Sequence, residues 1–218
     1  AELSPAEGEE LVIDGPNAGR RRLRNVCLGY LSTAKDANSI ALCAKQFAEA
    51  RSRGCMTDKL ASVGCLVNVP DTPQAAEAIK QFYDDAAGDA LVLNKWFGMQ
   101  AGADLEDILS RVKKLMEHPE FTLKNPNRLR SVVSMFAANV TGFHKADGSG
   151  YAFMADMVLE VDKLNPQVAS RLALSFGTWA KLDSSRQALV KDQLQMLNGK
   201  KDDLSKDTYE VVSKIAAA

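Results

Sequence analysis

The sequence predicts an all-α protein, an antiparallel helix-hairpin solenoid of the armadillo or HEAT kind with about eleven helices. Three observations predict it. Apolar residues recur at i, i+3 and i+4 in segment after segment, the spacing of one buried helical face. The breaks between segments are short, roughly two to ten residues, which makes neighbouring helices antiparallel. And no run rich in Val, Ile and Thr alternates with period two, so no sheet is expected.

Residues 1–19 are rich in Glu, Gly and Pro, lack periodicity, and read as a linker or extended connection. Residues 20–218 read as a single helical solenoid domain. Its first helix places Leu23, Val26, Cys27, Tyr30 and Leu31 on one face, predicted to be buried. Ile40, Cys43, Ala44 and Phe47 repeat the pattern, and helices follow over 60–69, 75–87, 91–101 and 105–116. Further on, Asn125-Pro126 and Asn165-Pro166 each set an N-cap residue before a proline suited to the first helical position. The Asp147-Gly148-Ser149-Gly150 loop precedes a helix over 151–164. Ser184-Ser185-Arg186-Gln187 reads as a capping box for 189–197, and Asn198-Gly199 as its stop. A last helix spans about 205–215.

Composition excludes several function classes. A chain of 218 residues buries roughly 70% of its unfolded surface, enough for a substantial core. The net charge of -1 lacks the basic footprint of a general nucleic-acid binder. It argues equally against electrostatic docking on anionic membranes. No apolar run approaches the roughly 20 residues that span a bilayer, and the acidic start has no signal-peptide core. With Ala rather than Met at its start, the sequence reads as a piece of a longer polypeptide. The four cysteines, Cys27, Cys43, Cys55 and Cys65, contain no C-x-x-C pair and are expected to be buried free thiols in a reducing, cytoplasmic or organellar setting. Asn139-Val140-Thr141 is a lone glycosylation sequon.

A search for catalytic chemistry finds none. The two histidines, His118 and His144, lie in separate breaks, no H-E-x-x-H is present, and no Cys/His/Asp set has metal-ligand spacing. There is no G-x-S-x-G elbow and no P-loop. The Asp147–Gly150 loop reads as a tight turn that caps the next helix rather than as a phosphate cradle. Lys95-Trp96-Phe97 reads as core and rim packing. One feature breaks a local rule: Arg128 and Arg130 sit at the start of the Asn125-Pro126 helix, where cations oppose the macrodipole. Gln167 and Arg171, at i and i+4 after Asn165-Pro166, share one helix face. Arginines so placed suit a carboxylate-bearing ligand through forked hydrogen bonds, or else surface and interdomain salt bridges.

Several strings together carry a resemblance. Asn94-Lys95-Trp96-Phe97, Asn125-Pro126-Asn127-Arg128-Leu129-Arg130, Phe143-His144, Asp147-Gly148-Ser149-Gly150-Tyr151 and residues 165–172 resemble the C-terminal domain of the aminopeptidase N family. Residues 23–28, 48–50 and 56–58 fit the same family in the same order, so the resemblance covers about 20–218. It implies an armadillo-like domain of a zinc exopeptidase that removes N-terminal residues from peptides. The zinc and its ligands are implied to lie in a separate catalytic domain, with no cofactor in this chain. The domain is implied to close over that active site and to line a cavity and channel. Arg130 and Arg171 match cavity-lining arginines, and Gln167 follows more weakly; all three are expected to bind peptide substrate. The implied partners are the catalytic and other domains of the same polypeptide and peptide substrates, with neither nucleic acid nor membrane. The alternative is a free-standing armadillo-type scaffold that binds a protein partner along a concave face.

Overall fold

Helix starts in this chain are set by short polar side chains. The computed structural model describes Leu3, Pro5 and residues 9–217; residues 1, 2, 4 and 6–8 of the expected linker lie outside the described residues. The first helix, α1, spans Gly15–Ser32. Asp14 accepts from Asn17 N–H at 2.8 Å, and Pro16 occupies the first turn, where no intrahelical donor is needed. The helical body therefore begins five residues before the boundary read from the sequence. Then follow α2 (Ala37–Ser52), α3 (Met56–Leu66), α4 (Pro73–Ala86), α5 (Ala90–Ala101) and α6 (Ile108–Met116). Next come α7 (Pro126–Leu129), a π-helical segment (Arg130–Ser134) and α8 (Met135–Ala137), which run on without a break. The remainder is α9 (Val140–Phe143), α10 (Ser149–Asp162), α11 (Pro166–Ala173), two 3-10 turns (Leu174–Phe176 and Trp179–Lys181), α12 (Ser184–Asn198) and α13 (Lys206–Ala216). Among the described residues there is no strand, and no helix is long and apolar enough to cross a membrane. The chain divides into two compact units between Gln100 and Ala101.

In the first unit α1, α2, α3 and α4 pack on one another. The core comes from Cys43, Phe47 and Ala50 of α2, Val63 and Leu66 of α3, and Ala75, Ala78 and Phe82 of α4. The α4 residues follow the i, i+3, i+4 rule. Trp96 of α5 joins them by donating Nε1–H to the Ile79 carbonyl at 3.0 Å. α1 departs from expectation. Leu23, Val26, Cys27, Tyr30 and Leu31 are all exposed, and Arg24 and Leu28 are its buried residues. The cause is a polar network. Arg24 donates to Glu49 at 2.8 Å and lies 3.5 Å from Asp58, which is 1% exposed. Asn25 donates to Asp58 at 2.9 Å and accepts from Gln46 at 2.7 Å. Buried charge must be paired, and here the pairing turns the polar side of α1 inward. Lys59 and Arg51 meet on Asp85, tying α2 and α3 to α4.

The second unit centres on α10, buried nearly all round through Tyr151, Phe153, Met154, Ala155, Met157, Val158 and Val161. Phe136 meets Phe153 edge-on at 5.2 Å, and Phe143 meets Tyr151 at 5.2 Å. At the far end of α10, buried Asp162 accepts from Ser205 N–H at 2.7 Å, from Ser205 Oγ and from Thr208 Oγ1, fixing the start of α13. The Asp147–Gly150 loop is the expected turn. Asp147 accepts from Ser149 N–H at 2.9 Å, and Gly148 takes φ 74°. Gly150 lets α10 approach α9: a Cβ there would lie 2.5 Å from the Phe143 oxygen and 2.6 Å from that of Gly142.

Two local expectations change. The cap of α12 is Asp183, which accepts from Arg186 N–H at 3.0 Å, and not Ser184; Gln187 turns back to the carbonyls of Ala180 and Leu182. A carboxylate one residue upstream also pairs with Arg186 at 2.7 Å, a combination a serine cannot match. Gly199 ends α12 in a right-handed conformation, without the left-handed turn typical of glycine stops.

Three outcomes are expected. Asp58→Ala leaves Arg24 with Glu49 alone and should cost about 3 kcal/mol by denaturant unfolding, toward the low end for a broken buried pair. Gly150→Ala, which must displace backbone, should cost about 2–3 kcal/mol, against near-neutral Gly19→Ala, whose Cβ meets open space. The third concerns His144, whose Nδ1 lies 2.9 Å from the Tyr151 hydroxyl. Burial, with the Arg186 guanidinium adding to it, pushes this imidazole below its ordinary value of 6.5. The unfolded chain then binds the proton more readily, so this stabilisation is complete above about pH 6.5 and is lost as pH falls through the folded value. Thermal midpoints from pH 7 to 5 should fall less in His144→Gln than in the parent.

Candidate functional site

Of the three residues expected to bind substrate, Arg130 depends on the Asn125 cap. Asn125 Oδ1 accepts from the N–H groups of Asn127 at 3.0 Å and Arg128 at 3.2 Å, and Pro126 fills the first turn. This winds α7 tightly and sends the Arg128 side chain inward, to 4% exposure. Arg130 is the first residue of the π-helical segment and is half-buried. Among the described residues its one hydrogen bond is a long one, Nη1 to Asn127 Oδ1 at 3.5 Å, so most of its donors are uncommitted. The π turn is closed by the Met135 N–H donating to the Arg130 carbonyl. Such wide turns re-aim side chains relative to a continuous α-helix and recur at functional sites. No sequence pattern announced it.

Gln167 and Arg171 lie four residues apart on α11, both exposed. Asn165 caps this helix by accepting from Val168 N–H at 3.2 Å. The chain tightens into a 3-10 turn from Leu174, so α11 is only eight residues long and Arg171 lies in its last turn. There its charge agrees with the macrodipole. The placement argument from an opposed dipole therefore holds for the Arg128–Arg130 segment and not for Arg171. Among the described residues, neither the Arg171 guanidinium nor the Gln167 amide has a hydrogen bond or ion pair. The structure thus brings Gln167 and Arg171 onto one helix face. Arg130 stands on a separate element, and no hydrogen bond joins it to them.

The sequence does hold a signal for such arginines. On a helix a carboxylate three or four residues from a cation lies within pairing reach. Arg111 pairs with Asp107, Arg186 with Asp183, Lys80 with Asp84 and Lys214 with Glu210. Positions three and four away from Arg171 hold Gln167, Val168, Leu174 and Ser175; around Arg130 they hold Pro126, Asn127, Val133 and Ser134. Neither has an acid within helical reach.

Other candidate groups are committed to structure. The His118 Nδ1 accepts from Glu120 N–H at 3.1 Å, and His144 is held by Tyr151. Among the described residues no group of three His, Cys, Asp or Glu side chains converges to hold a metal ion. Asn139 of the sequon is buried; its amide donates to the Ala103 carbonyl at 2.7 Å and its oxygen caps α9 through Gly142 N–H. Trp96 and Phe97 are core residues beside exposed Lys95. Cys43 and Cys55 are buried and Cys65 half-buried, but Cys27 is exposed, which corrects the expectation for that thiol. Cys43 and Cys65 are neighbours that perturb each other's thiols, holding Cys65 down to about 6 and pushing Cys43 up.

Comparison with known proteins follows the same lines. The family model described as "Domain of unknown function (DUF3458_C) ARM repeats" matches residues 3–217, taking in most of the segment read as a linker. Aminopeptidase N of Escherichia coli strain K12 is 37% identical over 210 residues, covering 95% of this chain and 23% of that protein. The aminopeptidase N of Caulobacter vibrioides is 38% identical over 94% of the chain and 23% of that protein. In Haemophilus influenzae the figures are 36%, 89% and 22%. The crystal structure of Legionella pneumophila aminopeptidase A in complex with aspartic acid superposes with a TM-score of 0.83 and 32% identity, over 92% of this chain and 23% of that one. The chain thus spans less than a quarter of the length of the relatives it matches. The all-helical fold of the described residues and a match over almost every residue agree: the chain belongs to the DUF3458_C family of ARM repeats, the C-terminal helical domain of aminopeptidase N.

Proposed function

We propose that this chain is the substrate-access domain of a zinc aminopeptidase that removes N-terminal residues from peptides. The observation that carries the reading is the identity of 36–38% with three aminopeptidases N across nearly the whole chain. The helical body from Gly15 onward acts as a domain that closes over a catalytic domain elsewhere in the polypeptide and lines the cavity and channel through which peptides pass. Zinc supplies the activated water when bound, but the side chains here do not fit it. Both histidines are hydrogen-bonded and no donor cluster exists among the described residues, so zinc belongs to the other part. The free thiols favour a reducing, cytoplasmic setting.

Within that cavity Arg171, Gln167 and Arg130 bind and orient. A guanidinium without a carboxylate partner keeps its forked donors for a ligand, and a peptide's C-terminal carboxylate is the group that fork fits. The Gln167 amide, one turn away, offers both a donor and an acceptor to the peptide backbone. These contacts bind substrate and transition state alike, so they act on KM rather than on the chemical step.

In the full-length enzyme, Arg171→Ala should raise KM for free-carboxylate tripeptides roughly tenfold, the loss of one charge-assisted hydrogen bond. The kcat should hold, and alanyl p-nitroanilide, which has no carboxylate, should be cleaved as before. Arg130→Ala should act in the same direction. Wild-type peptide kinetics in the double variant would remove the cavity role, and peptide trimming by a zinc-loaded sample of these 218 residues alone would remove the whole reading.

A further inference from the structure

Half of the twelve large hydrophobic side chains exposed among the described residues fall within residues 12–31. Ile13 is 86% exposed and Tyr30 77%; Leu23, Val26 and Leu31 are each close to half exposed. Leu23, Val26, Tyr30 and Leu31 keep the spacing of a single helical face, while the opposite face of α1 is anchored inside by Arg24 and Leu28. Large clustered apolar patches on folded proteins mark interfaces. Beside this face runs a groove of about 460 Å³ lined by Ala18, Arg21, Arg22, Asn25, Val26 and Thr57. Arg21 donates to the Val12 carbonyl at 2.9 Å, and Arg22 has no hydrogen bond or ion pair among the described residues. The surface is therefore apolar with a cationic rim, and it fits an apolar segment edged by carboxylates.

We infer that the outward face of α1 is the docking surface for the preceding part of the same polypeptide, which seats an apolar, acid-edged segment on Leu23, Val26, Tyr30 and Leu31. This rests on the reading above that the chain acts within a longer aminopeptidase. Two facts favour that occupant. The relatives are more than four times longer than the matched region, and this is their C-terminal domain, so the rest of the molecule comes before α1. α1 is also the first helix, within easy reach of that portion. A second copy would need the same cationic rim to face itself, and like charges across an interface oppose association.

Cys27, exposed on this face, is a built-in reporter. In the full-length polypeptide its alkylation by a maleimide, mapped by peptide mass spectrometry, should run at least tenfold slower than that of glutathione at the same pH. Leu23→Asp with Tyr30→Asp should bring the rate close to that of glutathione. Arg22→Glu, which disturbs only the rim, should raise it about threefold while leaving the protein folded. The peptide KM set by Arg171 should be unchanged by Arg22→Glu, so a failed docking surface and a failed substrate role are told apart. A rate equal to glutathione's in the unaltered protein overturns the inference. Protection that fades on dilution assigns the face to a second copy and overturns it equally.

Discussion

The pairing of Arg24 with Glu49 and Asp58 governs how the first unit is put together. Asp58 lies in the first turn of α3, where its charge suits the macrodipole, but it is almost wholly buried and needs a cation. Arg24 of α1 supplies one. Meeting the need rotates α1 so that its polar residues face in, with Asn25 and Gln46 completing the hydrogen bonds around the carboxylate. The rotation has two consequences. α1 contributes little beyond Leu28 to the apolar core, and its hydrophobic stripe is left outside. Such an arrangement is stable in a longer molecule that covers the stripe, which gives a physical reason for a C-terminal domain to carry it. Asp162 plays the corresponding role in the second unit, where a buried carboxylate fixes the start of α13 through one backbone and two hydroxyl donors.

These two carboxylates also mark where the sequence stops being readable. The Asn125 and Asn165 caps, the prolines behind them and the turn at Asp147–Gly150 were legible because their partners lie within three residues. Periodicity gave helices in nearly the right places for the same reason. Which side of α1 faces in was not legible. The stripe from Leu23 to Leu31 defines a face, but burial was decided by Glu49 and Asp58, 25 and 34 residues away along the chain. The shift of the α12 cap to Asp183 is a smaller case: two good cap residues stood side by side, and pairing with Arg186 settled between them. The π turn after α7 left no sequence mark at all. It sits where a buried Arg128 and an outward Arg130 must be accommodated two residues apart.

For the site, the sequence argument from helix starts applies to only one of the two arginines. Proximity to a helix start is a sound warning at Arg128 and Arg130, but Arg171 ends its helix and carries no such strain. What unites Arg130 and Arg171 is the lack of an acid at helical spacing. On this surface Lys45, Lys80 and Lys214 are each engaged by a carboxylate four residues off, contacts worth a few tenths of a kcal/mol each. That energy is too small for stability to select strongly for or against any single pair. Its value is electrostatic: a paired cation presents no net charge and no open donors to a ligand. An unpaired one does, and two unpaired arginines stand in contrasting settings, Arg171 on α11 beside Gln167 and Arg22 on the rim of the α1 groove. Under the proposed function the domain has two tasks, holding on to the rest of the molecule and holding on to the substrate. An arginine left without a carboxylate is the residue either task requires, and apolar surroundings tell them apart. Arg22 stands beside exposed Val26 on the edge of a hydrophobic stripe that asks to be covered, whereas Arg171 shares its face with an amide and stays open to a small polar ligand.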